Sequence, residues 1–332
     1  MTASNTLRSR SRDVARLFGA VLCAALLLSP LAPARAQGST VRILVGFPAG
    51  GTIDLVARVL AEHLKDDLGA TVIVDSKPGA GGQLAAQALK QAAPDGRTLL
   101  LSPDHTMVML PITIKTPGFQ PLVDFAPVAQ VARYPGGFAV SSALNVRTLD
   151  EYFAWARANP KQANVGVPAP GSIPQFLVDL LGQQSKATLT SVPYRGSAPM
   201  VQEMMGGQLA SGTTALGDFV EPHLAGKLRV IAVLGPKRSA ALPDVPTFAE
   251  QGYRIDWEYW LGMFAPAGTP PAEIQRINAA IGRALARADV RERMTKIVFE
   301  PAFGSADELG RLVRAGTSYW EPVVRASGWV PQ

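Results

Sequence analysis

A short apolar run, Val41-Arg42-Ile43-Leu44-Val45, breaks at Gly46-Phe47-Pro48-Ala49-Gly50-Gly51 and resumes as an amphipathic pattern, Leu55, Val56, Val59, Leu60 and Leu64. That order is strand, glycine loop, helix. It constrains the fold more than any other stretch. A loop of this kind sets bare backbone N–H groups beside a helix N-terminus, and together they make an anion site. The order recurs about 25 residues later, where Thr71-Val72-Ile73-Val74 leads through Pro78-Gly79-Ala80-Gly81-Gly82 into Gln83-Leu84-Ala85-Ala86-Gln87-Ala88-Leu89. Two such loops meet at one edge of a parallel sheet, where open α/β folds bind ligands.

The residues before the first strand set the compartment. Arg8, Arg10, Arg12 and Arg16 form a basic segment, Leu17 to Leu28 an apolar run, and Ala34-Arg35-Ala36 a cleavage site. Residues 1–36 are therefore expected to be an export signal cut after Ala36, which places the protein in the periplasm. The apolar run is short for a bilayer span. Cys23 follows a large residue, Leu22, and makes a poor lipoprotein box.

Cleavage changes what the charge means. Of 32 basic and 26 acidic residues, five and one lie in the signal, so the mature chain keeps 27 and 25 and a net charge of +2. Nucleic-acid binding loses its main support. The only cysteine, Cys23, leaves with the signal, so no disulfide or thiolate remains. About 295 residues, 47% hydrophobic over the whole chain, can build two medium domains with separate cores.

Punctuation organises the rest. Pro94-Asp95-Gly96 is a turn before the strand Thr98-Leu99-Leu100-Leu101-Ser102. Residues 103–127 are proline-rich and read as irregular, and Pro127 to Ser142 is strand-like at both ends. Thr148-Leu149-Asp150-Glu151 and Ser305-Ala306-Asp307-Glu308 are capping boxes that open helices. Strands are expected at 164–167, 189–192 and 228–233, and helices from Pro174, Pro199 and Thr269-Pro270-Pro271. In the last, Ile274, Ile277, Ile281 and Leu285 share a stripe. Alternating strands and helices argue for mostly parallel sheets with right-handed crossovers. One doubly wound domain is possible, and two lobes fit the size better.

Catalytic signatures are absent. No G-x-G-x-x-G follows a strand with a downstream acid, there is no P-loop lysine, and no G-x-S-x-G surrounds Ser102, Ser172 or Ser197. Neither metal nor cofactor is expected, and no enzyme activity. His63 and His223 read as helix-flank residues. His105 is different, because it follows Ser102-Pro103-Asp104 at the edge where both glycine loops point. Gly50-Gly51 either brings donors to an anion or only permits a turn, and Asp54 either serves the site or only favours a helix start.

The motifs Phe47-Pro48-Ala49-Gly50-Gly51 with Asp54, Lys77-Pro78-Gly79-Ala80-Gly81-Gly82, Ala93-Pro94-Asp95-Gly96, Val192-Pro193-Tyr194-Arg195-Gly196 and Leu242-Pro243-Asp244-Val245-Pro246-Thr247 occur in one order. In that order, over essentially the whole mature chain, the sequence resembles the Bug family, the substrate-binding proteins of tripartite tricarboxylate transporters. The resemblance implies a two-lobed periplasmic binding protein of type II, each lobe a Rossmann-like, mostly parallel sheet flanked by helices. It implies a first lobe of 37–138 plus 258–332, an inserted second lobe of 139–257, and a hinge near 136–140 and 254–260. It further implies a small carboxylate held between the lobes, partly by backbone groups of the first two loops. The ligand-binding residues expected on this basis are Phe47, Pro48, Ala49, Gly50, Gly51, Asp54, Ala80, Gly81, Gly82, Ser102 and His105 in the first lobe. Ala169, Gly171, Ser172, Arg195 and Asp218 join them from the second. Asp218 either accepts from a ligand amine or hydroxyl or caps the helix after it. Departures at Thr52-Ile53 and Ser76-Lys77 leave the ligand's identity open. The expected partner of this monomer is a membrane transporter, or a sensor protein, with a secreted enzyme as the remaining alternative.

Overall fold

A computed structural model describes residues 40–255 and 257–331. The expected export signal at 1–36 lies outside the described residues. Among those described, no helix is long and apolar enough to cross a membrane.

The first glycine loop sits where its neighbours predict. Strand β1, Thr40–Val45, ends at the loop, and helix α1, Thr52–Leu68, follows. Val56, Leu60 and Leu64 recur every fourth residue and are fully buried against Ile43, Val45, Leu99 and Leu101. Burying each leucine stabilises the fold by roughly 1.5–3 kcal/mol. The helix stops at Gly69, which takes the left-handed conformation (φ 57°) that ends many helices. Strand β2, Thr71–Ser76, helix α2, Gln83–Lys90, and strand β3, Thr98–Pro103, complete a parallel set around β1.

Two long crossings then leave and re-enter this sheet. Strand β4, Phe125–Tyr134, is separated only by Pro135 from strand β5, Gly136–Ser141, which belongs to a different sheet. That second sheet also holds β6, Asn164–Val167, β7, Thr190–Pro193, β8, Ser211–Ala215, and β9, Leu228–Leu234, in the order β7-β6-β8-β5-β9. The chain returns through β10, Tyr259–Pro266, and adds β11, Glu300–Gly304, so the first sheet reads β11-β4-β10-β3-β1-β2.

The sheets are mixed where mostly parallel ones were expected. Strand β10 runs antiparallel to β3 and β4, and β5 antiparallel to β8 and β9. The crossing is the reason. A chain that leaves at Tyr134 and returns at Tyr259, its register partner, must run back along the strand it left by.

Helices cover both sheets. Around the second sheet lie α3, Leu149–Ala158, α4, Ile173–Ser185, α5, Ser197–Met205, and α6, Gly217–Leu224. The last section supplies α7, Pro271–Ala286, α8, Ala288–Lys296, and α9, Ala306–Ala326. Ser305 and Glu308 form the expected capping box at α9. At α3 only half of it forms. Thr148 accepts from the Glu151 N–H, but the Glu151 carboxylate reaches the Arg147 N–H instead of that of Thr148. Residues 103–127 are more regular than their prolines suggest. A π-turn, His105–Met109, runs into one helical turn at Leu110–Thr113.

Candidate functional site

The topology sends the loops after the parallel strands of both sheets toward the crossing. Strands β1, β2 and β3 end on the side where β10 begins, since Pro103 pairs with Leu261. Strands β6, β7 and β8 end where β5 begins, since Gly136 pairs with Ala215. A cavity of about 280 Å³ opens there. The first sheet contributes Phe47, Thr52 and Ile53 after β1, Gly81 after β2, and Pro103, Asp104 and His105 after β3. The second contributes Pro168, Ala169, Ser172, Ile173 and Pro174 after β6, Gly196 and Ser197 after β7, and Thr214, Ala215 and Asp218 around the end of β8. Tyr134, Tyr259 and Phe299 close it at the crossing, with Tyr134 stacked on Phe299 at 4.5 Å and on Tyr259 at 5.2 Å between ring centres.

A second hollow, of about 470 Å³, is larger but carries less chemistry. Most of its charges are spent on one another or on near neighbours: Lys237 on Glu300 at 3.0 Å, Arg238 on Glu250 at 2.9 Å, and Glu258 on Arg133 at 3.5 Å. None of the loops after the parallel strands lines it. The smaller cavity is the candidate site.

Of the sixteen residues expected at a site, the cavity gathers Phe47, Gly81, His105, Ala169, Ser172 and Asp218. Pro48, Ala49, Gly50, Gly51, Asp54, Ala80, Gly82, Ser102, Gly171 and Arg195 stand outside its lining. Several of these build its walls. Asp54 is fully buried, and its carboxylate is occupied on both oxygens. Oδ2 accepts from the Gly50 N–H at 2.9 Å and Arg58 Nε at 2.7 Å, and Oδ1 from Ser76 Oγ at 3.0 Å and Arg58 Nη2 at 3.1 Å. Asp54 thus ties the first loop to the end of β2. Burial alone pushes its pKa up, but the bonds from Arg58, Gly50 and Ser76 outweigh this and hold it below 3.8. The two glycines divide their work. Gly50 adopts φ 81°, which a side chain resists, whereas Gly51 is extended (φ −70°) and is limited only by Pro48 O, 3.2 Å from where a β-carbon would stand.

Hydrogen bonds also fix the other loops around the cavity. Thr106 Oγ1 donates to Gly81 O at 2.7 Å and so joins the second loop to the third. Gly171 N–H donates to Gln175 Oε1 at 2.8 Å, and Ser172 Oγ to Ala169 O at 2.7 Å, which fixes the loop after β6. The Arg195 side chain is exposed, while its neighbours Gly196 and Ser197 line the cavity.

Burial shifts two adjacent titratable groups toward their neutral forms. Asp104 is buried, and burial pushes its carboxyl up to about 8 against the opposing bonds from Trp257 Nε1 (3.0 Å) and the His105 N–H (2.9 Å). Burial likewise lowers His105 to about 4, and its Nδ1 is buried with no hydrogen-bond partner. The Tyr259 hydroxyl is also buried and unpartnered, and burial holds that phenol and Tyr134 well above 10.0. Asp218 does not cap its helix. It accepts from Thr214 Oγ1 at 2.9 Å and from the Ser197 side chain, and burial raises its pKa.

Asp104, Tyr134, Tyr259 and Phe299 were not expected at the site. The aromatic three are far apart in sequence and meet only through the crossing. Asp104 stood in the quoted motif beside His105, and its position at a strand end was the available signal. What the cavity offers is N–H groups, hydroxyls, the His105 imidazole and two acids, without a lysine or arginine in its lining. No group of three His, Cys, Asp or Glu among the described residues is placed to hold a metal.

The chain's likeness to known proteins agrees with this architecture. The family model described as tripartite tricarboxylate transporter family receptor matches residues 56–329. Protein BugT of Bordetella pertussis is 31% identical over 314 residues, covering 94% of this chain and 96% of its own. The structure of periplasmic binding protein BugD superposes with a TM-score of 0.78 at 28% identity, over 88% of this chain and 99% of that one. Rpa4515 of R. palustris, solved with adipate, gives a TM-score of 0.81 at 30% identity, over 88% and 98%. These likenesses and the two mixed, helix-flanked sheets show a two-lobed α/β fold of the type II binding-protein class. With the model spanning most of its length, the chain belongs to the family of tripartite tricarboxylate transporter receptors.

Proposed function

We propose that this protein is a periplasmic solute receptor that holds a small carboxylate in the 280 Å³ cavity and delivers it to a membrane transporter. One observation carries the reading. The cavity is built from the loops after the parallel strands of both sheets, so a ligand touching its walls bridges two halves of the molecule. Thr52 and Ile53 line it as the first two residues of α1, a helix of 17 residues. First-turn N–H groups lack intrahelical acceptors and receive an anion without a basic side chain. Each charge-assisted bond contributes roughly 1.5–3 kcal/mol. The solved neighbour that carries adipate supports a carboxylate as the ligand class.

The lobe limits follow the crossings. The proposed limits remain those near 138 and 258, and the crossings at Pro135 and just before Tyr259, with β5 pairing within the second sheet from Gly136 onward, support them. The crossings lie side by side, as a hinge requires. A β-carbon on Gly136 would stand 2.8 Å from the Tyr259 ring.

A thermal-shift panel of mono-, di- and tricarboxylates on the protein lacking residues 1–36 tests the reading. A binder at 100 times its Kd adds about 2.7 kcal/mol of stability. For a chain of this size that raises the melting temperature by roughly 4 °C. A panel in which no carboxylate raises it, while sugars or cations do, overturns the reading.

A further inference from the structure

Trp329 follows α9 and touches both halves of the molecule. Its anchor is on the first-sheet side, where α9 packs on β4. The Trp329 indole N–H donates to Thr113 O at 3.1 Å, and its backbone N–H to Ser327 Oγ at 3.3 Å. Thr113 closes the helical turn that continues the π-turn from His105, a residue of the cavity wall. The other contact is on the second-sheet side. There the Trp329 ring meets Phe176 edge-on, with 5.8 Å between ring centres. Phe176 is fully buried near the start of α4, a helix that packs on β6 and β7. The loop between β6 and α4 comes equally close. At Gly171, which adopts φ 65°, a β-carbon would stand 3.1 Å from the Thr113 side chain and 3.4 Å from the Trp329 ring. Ala169 and Ser172 of that loop line the cavity.

These contacts join the two walls from outside. The loop after β6 lines the cavity on one side and residues 103–105 line it on the other, while Trp329 lines no part of it. Walls that draw apart carry Gly171 and Phe176 away from Thr113 and Trp329. The anchoring suits such a motion. Two N–H bonds hold Trp329 to its own side, and an edge-on ring contact can release and re-form. We infer, resting on the carboxylate reading above, that Trp329 is a latch for closure: a positioning residue that stabilises the arrangement in which both walls meet the carboxylate. It then sets affinity without touching the bound molecule. Removing a contact that belongs to the binding arrangement lowers the population of that arrangement, and the apparent affinity falls with it.

Isothermal calorimetry on the protein lacking residues 1–36 tests this, with the carboxylate of the thermal-shift panel that raises the melting temperature most. Trp329→Ala removes both the ring and the indole bond and is expected to weaken binding about tenfold. Trp329→Phe keeps a ring for Phe176 but loses the bond that holds it in place, and is expected to weaken binding about threefold. Trp329 is only partly buried, so both variants are expected to fold, and urea unfolding without carboxylate checks this. A purely structural role moves the unfolding midpoint and leaves the affinity of the folded protein unchanged. A folded Trp329→Ala with wild-type affinity overturns the inference and leaves the carboxylate reading intact. Where Trp329→Ala does not fold, a Trp329→Phe with wild-type affinity does the same. A wild type that binds no carboxylate of the panel overturns both.

Discussion

Gly46→Val is expected to destabilise the protein by about 3 kcal/mol and to abolish carboxylate binding. Gly46 follows β1, where the first loop passes the second. A β-carbon there would overlap Gly82 Cα and reach 3.2 Å from Gly82 O. Both neighbours are backbone, so no rotamer change relieves the clash. The two loops must separate, and with them Phe47 and Gly81, which both line the cavity. Urea unfolding gives the stability and thermal shift the binding. A variant with an unchanged midpoint and normal affinity would show that the loops have slack at this contact.

Asp54→Ala is the second large effect, with an expected loss of roughly 2–3 kcal/mol near neutral pH. The substitution removes the buried common acceptor of Gly50, Arg58 and Ser76 and leaves the first loop without its tie to the end of β2. The value stays modest because the Arg58 side chain is 51% exposed and remains solvated once its partner is gone. The pH dependence has a definite sign. The folded-state pKa of Asp54 is held below 3.8, so its contribution is fully present above that value and disappears as pH falls through the depressed one. The gap between wild type and Asp54→Ala should therefore narrow in acid below about pH 4 and stay constant from pH 5 to 7. A gap that widens in acid would show that the ion pair is not the source of the effect.

The fold was legible wherever local chemistry decides. Glycine loops after apolar runs located β1, β2 and their helices, and the Ser305–Glu308 pair located α9. Strand β8 was not legible, because its sequence, Ser-Gly-Thr-Thr-Ala, has no apolar run and owes its place to partners on both sides. The antiparallel course of β10 is likewise a consequence of chain return, which no local pattern records. The same division holds at the site. Phe47, Gly81, His105, Ala169 and Ser172 were readable as residues after strand ends. Tyr134, Tyr259 and Phe299 look like core aromatics in sequence, and only the crossing brings them to the cavity. Asp54, singled out for its charge, is saturated by Gly50, Arg58 and Ser76, so it shapes the wall that others present.

Small-angle scattering on the protein lacking residues 1–36 bears most directly on the central claim, that one carboxylate is gripped by loops of both sheets at once. A ligand that contacts both walls only when they approach must favour the closed form. Saturation with the best-binding carboxylate of the panel is expected to lower the radius of gyration of an open apo form, with the ligand recovered chemically unchanged. A scattering profile that stays open at saturation, or a ligand recovered as a different compound, would contradict it.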